Sequence, residues 1–144
     1  MSDTYDLQRF VEAQEFIYAE VIRELKRGYK QSHWMWYIFP QIKGLGRSET
    51  ARKFALGSLE EAREYLKHPV LGERLRECIR LVLAVEGRTS EQIFGSIDTL
   101  KFRSSMTLFL YATEDNRIFQ EALEKYFDGQ SDRLTVNLLK KDEL

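Results

Sequence analysis

The sequence contains few of the residues that build disulfide frameworks or metal centres. Among its 144 residues there are one cysteine, Cys78, and two histidines. A single cysteine forms no disulfide within the chain, and so few thiols and imidazoles exclude a Cys/His metal set. We therefore expect no metal and no cofactor, and the lack of a disulfide framework favours a cytoplasmic protein.

An excess of one charge and long apolar runs are also missing. Lys and Arg number 22 against 23 Asp and Glu, so the basic excess of a duplex nucleic-acid binder is absent. No apolar stretch reaches about 18 residues, which excludes a membrane span, and the polar start with Asp3 and Asp6 is unlike a signal peptide. We expect no partnership with duplex nucleic acid or membrane, while a small-molecule ligand stays open and no oligomeric state is indicated.

The sequence does contain helical periodicity, and its length suits one domain. Apolar residues recur at helical spacing from Leu7 to Leu25, and Gly28 follows as a C-terminal cap. Starts of later helices are marked at Ser48, Ser58, Pro69, Thr89 or Ser90, Ser96 or Asp98, after Asn116 and at Ser131. We predict an all-α, compact multihelical single domain over residues 1–144, with six to eight helices and a long aromatic loop after the first helix.

The segment from His33 to Arg47 concentrates side chains typical of a small-molecule pocket. It holds both tryptophans, one of the two histidines and one of the two prolines. Rings stack on flat ligands while amides and cations fix polar groups, although the same aromatics can simply plug the core of a helical domain. In an extended segment the two tryptophans would point to opposite sides, one buried and one lining a cleft. The candidate ligand-binding residues are His33, Trp34, Trp36, Tyr37 and Gln41.

The end of this segment combines glycines with cations. Lys43 and Arg47 flank Gly44 and Gly46 directly before a predicted helix start, where backbone N–H groups and the helix dipole receive anions. The spacing is neither that of a P-loop nor that of a dinucleotide fingerprint. A tight turn that needs positive φ explains the glycines equally well.

Four further polar residues are candidates for the same pocket. Gln14 interrupts the apolar stripe of the first helix, either at a pocket floor or as a structural hydrogen bond to a loop backbone. Lys101, Ser104 and Ser105 fall three or four residues apart, so they share a helix face and can converge on the ligand of the glycine turn. Helix capping and close packing are the alternative roles for the two serines.

Several segments together resemble the bacterial domain-of-unknown-function family 1810. The similar segments are Arg9 to Gln14, His33 to Gln41, Gly44 to Gly46, Tyr65 to Pro69 with Leu71 and Gly72, Ile93 to Gly95, and Asp98 to Phe109. They span nearly the whole chain in order. The resemblance implies a compact multihelical cytosolic protein with no established activity, so it supports the fold and leaves the function open.

A more distant likeness is to the NADAR family of helical proteins linked to NAD and ADP-ribose metabolism, through Phe10 to Gln14 and the all-α layout. That likeness implies a ribose-diphosphate ligand and a carboxylate such as Glu12, Glu49 or Asp98 that assists cleavage of an N-glycosidic bond. His33 is a candidate acid or base on its own chemistry, with capping or packing as its alternative role. No catalytic residue stands out among these four.

Two functions of different classes follow from these residues. The first is a pocket for a small anionic or nucleotide-like ligand of the ADP-ribose type, with hydrolysis of that ligand as an open extension. The second is a non-enzymatic helical module whose exposed aromatic residues bind a protein partner. A cleft with convergent polar groups would favour the first, and a flat aromatic patch the second.

Overall fold

A computed structural model describes residues 3–142 of the chain, and side chains up to Lys141. The helices are α1 (Gln8–Glu15), α2 (Tyr18–Arg27), α3 (Met35–Ile38), α4 (Glu49–Lys53), α5 (Leu59–Lys67), α6 (Leu71–Ala84), α7 (Ser90–Phe94), α8 (Asp98–Ala112), α9 (Arg117–Phe127) and α10 (Arg133–Asp142). No strand occurs in this part of the chain, where one parallel bridge joins Ile42 to Leu56. The all-α prediction is confirmed, with ten described helices rather than six to eight.

Two differences explain most of the higher helix count. The predicted first helix is broken at Phe16 and Ile17, where the Ile17 N–H donates to the Gln14 carbonyl. Both residues keep right-handed helical dihedrals, which is why the apolar spacing continues through the break. The aromatic loop contains the short helix α3, so the tryptophan segment is helical rather than extended.

Helix α8 is the centre of the core, with α5, α7, α9 and α10 packed around it. Seven of the eight residues from 102 to 109 are buried, so this helix has no single apolar stripe. Phe102 packs edge-to-face on Phe39 at 5.0 Å between ring centroids, and Phe109 stacks on Phe119 at 5.6 Å. Aromatic contacts thus join the α3 segment and α9 to the same central helix.

Several helices begin after N-cap residues that the sequence predicts. The Ser48 and Ser58 hydroxyls accept the N–H groups of Ala51 and Glu61, each at 3.1 Å. The last helix differs from the prediction, because Asp132 rather than Ser131 accepts the N–H of the third helical residue. A carboxylate is an equally good N-cap acceptor, so the predicted boundary moves by one residue.

The fully buried carboxylate of Glu24 organises the chain that follows α2. Its Oε1 accepts the N–H groups of Gln31 at 2.7 Å and Ser32 at 2.9 Å and the Trp34 indole N–H at 3.0 Å. Its Oε2 accepts the Ser32 hydroxyl at 2.6 Å. Burial by itself would raise the pKa of Glu24, but these four hydrogen bonds to the charged form lower it to about 2.

No helix among the described residues is both long enough and apolar enough to cross a membrane.

We expect Glu24 to make folding stability depend on pH. The pKa of Glu24 is about 2 in the folded protein against an ordinary 4.5, so its contribution is complete above about pH 4.5 and is lost as the pH falls towards 2. The unfolding free energy from urea titrations should fall by about 3 kcal/mol over this interval on account of this group.

The variant Glu24→Gln should lose about 2 to 3 kcal/mol at neutral pH and show a shallower acid dependence, because an amide leaves part of the donor cluster without an acceptor. Glu12→Gln, at an exposed position of α1, is the matched control and should lie within about 0.5 kcal/mol of the wild type. Equal acid dependence of Glu24→Gln and the wild type would contradict the role of this carboxylate.

Candidate functional site

The two tryptophans of the aromatic segment have different environments. Trp34 is 1% exposed, and its indole N–H donates to Glu24. Trp36 is half-buried, and the Lys101 ammonium lies 4.0 Å from its ring centroid. Tyr37, also half-buried, packs edge-to-face on Phe54 at 4.7 Å. Trp34 therefore belongs to the core, while part of Trp36 faces solvent.

Gln14 is buried and joins three elements. Its amide N–H groups donate to the Tyr37 carbonyl at 2.7 Å and to the Tyr65 hydroxyl at 3.3 Å, and its carbonyl accepts from Arg74 at 3.3 Å. All three partners belong to the protein itself. The arrangement matches the structural alternative for Gln14, a hydrogen bond to a loop backbone, and places the amide away from the surface.

A network of charges links the segment before α3 to the start of α8. The Lys30 ammonium lies 2.8 Å from Asp98 Oδ2, and the Lys101 ammonium lies 3.2 Å from Asp98 Oδ1. Burial alone would raise the pKa of Asp98, but the two ammonium groups hold that pKa below its ordinary value. Asp98 is therefore the ionised bridge between Lys30 and Lys101 rather than a carboxylic acid with a proton to give.

The three α8 candidates do not converge on one point. Lys101 lies over Trp36, whereas the Ser104 hydroxyl donates to the Leu100 carbonyl at 3.0 Å or to Asp132 at 3.1 Å. The Ser105 hydroxyl is buried with no hydrogen-bond partner among the described residues. The three side chains leave the same side of α8, but this helix is enclosed on most sides and both serines are buried, so shared spacing did not produce a shared site.

The remaining candidates lie at the surface or in the backbone pairing of the loop. His33, Glu12 and Glu49 are exposed. The Gln41 carbonyl accepts the Leu56 N–H at 2.9 Å, and the Lys43 N–H donates to the Leu56 carbonyl at 2.8 Å. The Lys43 side chain is exposed. These two hydrogen bonds fix the strand-like approach to the glycine turn.

The glycine turn packs on both of its neighbours. Gly44 has φ +107°, in the region that favours glycine, and a Cβ at this position would lie 3.4 Å from Leu138 of α10. A Cβ at Gly46 would lie 2.5 Å from the Ala51 Cβ, which is closer than two such atoms approach. Both glycines are therefore required by the geometry of the turn.

A groove of about 560 Å³ lies between this turn and α10. Its lining consists of Gly44, Leu45, Arg47, Leu134, Asn137, Leu138, Lys140 and Lys141. Three of these residues are cations and one is an amide, and no acidic side chain occurs in the described lining. Four further grooves elsewhere on the surface contain none of the predicted ligand-binding residues.

Sequence reasoning found the turn side of this groove and missed the α10 side. Leu134, Asn137, Leu138 and Lys141 follow the i, i+3, i+4, i+7 spacing of one helix face. That spacing, ending in a pair of lysines, was the available signal. The glycine turn and α10 are about ninety residues apart in the sequence. The spacing of residues within a helix does not show which distant segment packs against it.

The adjacent serines of α8 give a stability test of the buried hydroxyls. We expect Ser105→Ala to raise the unfolding free energy by about 1 kcal/mol, because it removes a buried hydroxyl that lacks a partner. Ser104→Ala is the matched comparison and should lower it by about 1 kcal/mol, since the Ser104 hydroxyl donates a hydrogen bond to the Leu100 carbonyl or to Asp132. Urea denaturation measures both, and a loss of stability in Ser105→Ala would contradict the assignment.

Comparisons with known proteins agree with this architecture. The chain superposes on a crystal structure of the conserved hypothetical protein Rv1873 from Mycobacterium tuberculosis with a TM-score of 0.95 and 52% sequence identity. The match covers 96% of this chain and 99% of that one. No curated protein matches the chain. A family model described as "Protein of unknown function (DUF1810)" matches residues 4–139, and the chain therefore belongs to the DUF1810 family.

Proposed function

We propose that the protein binds a small anionic ligand in the groove between the glycine turn and α10. The observation that carries this proposal is the grouping of Arg47, Lys140 and Lys141 around one concave surface without an acidic residue in the described lining. The chain as a whole has a formal net charge of -1, so this grouping is a local excess. Cations gathered in a cleft attract and hold anions.

The state of these three cations supports an external partner. None of them forms an ion pair with a described residue, in contrast to Lys30 and Lys101, which share Asp98. Exposed cations without partners are common singly on protein surfaces. Three of them around one groove have no structural role among the described contacts, and a bound anion would pair with them.

The rest of the lining suits the non-ionic part of such a ligand. Leu45, Leu134 and Leu138 provide apolar surface, and the Asn137 amide offers both a donor and an acceptor. A volume of about 560 Å³ falls within the roughly 300 to 1,000 Å³ of small-molecule sites. A nucleotide-like ligand of the ADP-ribose type is within this size range.

We propose binding rather than catalysis for this groove. The described lining contains neither a carboxylate nor a histidine, so it lacks a side chain suited to move a proton near neutral pH. Glu49, two residues after Arg47, is the nearest candidate carboxylate along the chain and is exposed at the start of α4. Hydrolysis would need this or another group to approach the ligand.

We also infer a cytosolic location, where the ligand would be a soluble metabolite. The single thiol, Cys78, is buried and free, and burial raises its pKa to about 12. A protonated thiol in the core is inert and suits a reducing compartment.

One observation favours the alternative of a protein-interaction module. Ile97, the last residue before α8, is 69% exposed, and Leu100, in the first turn of α8, is 60% exposed. Apolar side chains grouped at a surface are typical of contacts with another protein. If this face is the functional one, substitutions in the cationic groove would leave the biological activity unchanged.

Isothermal titration with inorganic pyrophosphate tests the proposal, because this probe carries the anionic chemistry alone. We expect wild-type protein to bind it, with affinity that decreases as NaCl is raised. The double variant Arg47→Ala, Lys140→Ala should bind at least about tenfold more weakly, since each charge-assisted hydrogen bond contributes about 1.5 kcal/mol or more.

Lys26→Ala is the matched control, because it removes an exposed lysine of α2 that does not line the groove. Its affinity for pyrophosphate should equal that of the wild type. Absence of binding by the wild type, or equal affinities of the wild type and the double variant, would contradict the proposal.

A further inference from the structure

We propose that the ligand of the cationic groove carries a planar ring and that Trp36 receives this ring. The inference rests on the proposed anion site and narrows its ligand to the nucleotide class. It separates nucleotides from inorganic anions, carboxylic acids and sugar phosphates, which have the charge without the ring.

Trp36 is the tryptophan that a ligand can reach. The neighbouring Trp34 is 1% exposed, and both its indole N–H and its ring have partners within the protein. Trp36 is half-buried, and its indole N–H has no partner among the described hydrogen bonds. A partly exposed aromatic ring near cations suits a nucleotide, because every base has a face that stacks.

The glycine turn joins Trp36 to the groove. At one end of the turn, Gly44 packs against Leu138, a lining residue of the groove. At the other end, a Cβ at Gly46 would lie 3.4 Å from Cη2 of Trp36. Two residues of chain span at most about 7 Å. Trp36 and the groove residue Leu138 therefore contact glycines that lie two residues apart in one turn, and a nucleotide with its base on the indole and its phosphates in the groove would pass over that turn.

Lys101 now occupies the position over the indole. Its ammonium lies 4.0 Å from the ring centroid and 3.2 Å from one oxygen of Asp98. Because the lysine side chain is long and flexible, a ring that stacks on Trp36 can replace the ammonium there. The ammonium keeps Asp98 as its partner, and the phosphate of the incoming ligand offers it a second one. A ring without an anion would remove the cation–π contact between Lys101 and Trp36 without giving the ammonium a new partner.

The two glycines let the turn pack closely against its neighbours on both sides. A side chain at Gly46 would meet Ala51 and Trp36, and one at Gly44 would meet Leu138. The turn therefore lies between Trp36 and the cationic groove.

Comparison of ADP with inorganic pyrophosphate tests this inference, since the two share the diphosphate and differ in the nucleoside. We expect ADP to bind wild-type protein roughly 5- to 150-fold more tightly, the range that one stacked base contributes. Trp36→Leu should reduce the affinity for ADP to that for pyrophosphate and leave pyrophosphate unchanged. Isothermal titration measures all four affinities, and circular dichroism verifies that the variant is folded.

Equal affinities of the wild type for ADP and pyrophosphate would overturn the inference while leaving the anion site in place. An equal loss for both ligands in Trp36→Leu would overturn it too, because the indole would then act on the fold rather than on the ring. Absence of binding for both ligands would overturn the anion site itself, and the inference with it.

Fluorescence provides a second test that does not depend on a destabilised variant. With excitation at 295 nm, the tryptophan fluorescence of wild-type protein should be quenched by ADP and not by pyrophosphate. Trp36→Phe keeps an aromatic ring in place and should remove the quenched component of the fluorescence. Quenching that persists in Trp36→Phe would assign the signal to Trp34 and contradict the inference.

Discussion

The buried Glu24 carboxylate is the constraint on which the arrangement of this chain depends. It gathers donors from Gln31, Ser32 and Trp34, and thereby turns the chain back across the core after α2. A buried charge persists only where hydrogen bonds replace its hydration. With Trp34 fixed in the core, the short helix α3 follows at once, and Trp36 on this helix is left partly at the surface. The position of the candidate site is thus set by a residue outside it.

The fold was largely predictable because helix signals are local. The apolar stripes, the Ser48 and Ser58 caps and the Gly28 terminus are all properties of neighbouring residues, and each marks a boundary that the structure contains. The break after Glu15 was not predictable in this way, because Phe16 and Ile17 keep helical dihedrals and preserve the spacing. The α3 segment was missed because four residues, rich in aromatic side chains, carry little helical periodicity.

The candidate site was only half predictable, for a related reason. Gly44 and Arg47 were identified from their composition, and the structure places them in the cationic groove. Lys140 and Lys141, which complete that groove, lie far along the chain and look like ordinary surface charge in sequence. Other polar candidates face inward because their partners are inside: the amide of Gln14, for example, bonds to a carbonyl of the aromatic segment itself. The chemical groups of a site can be predicted from residue type. Which of these side chains meet in one groove depends on tertiary contacts, which residue type does not show.

A crystal structure of the protein grown with ADP would show directly where the ligand binds and which side chains contact it. We expect the diphosphate in the groove between the glycine turn and α10, within about 3 Å of the Arg47 guanidinium and of a lysine ammonium from α10. The adenine should then lie against Trp36, with Lys101 displaced from the ring. An ADP molecule bound at any other surface, with this groove empty, would show that the groove is not the ligand site.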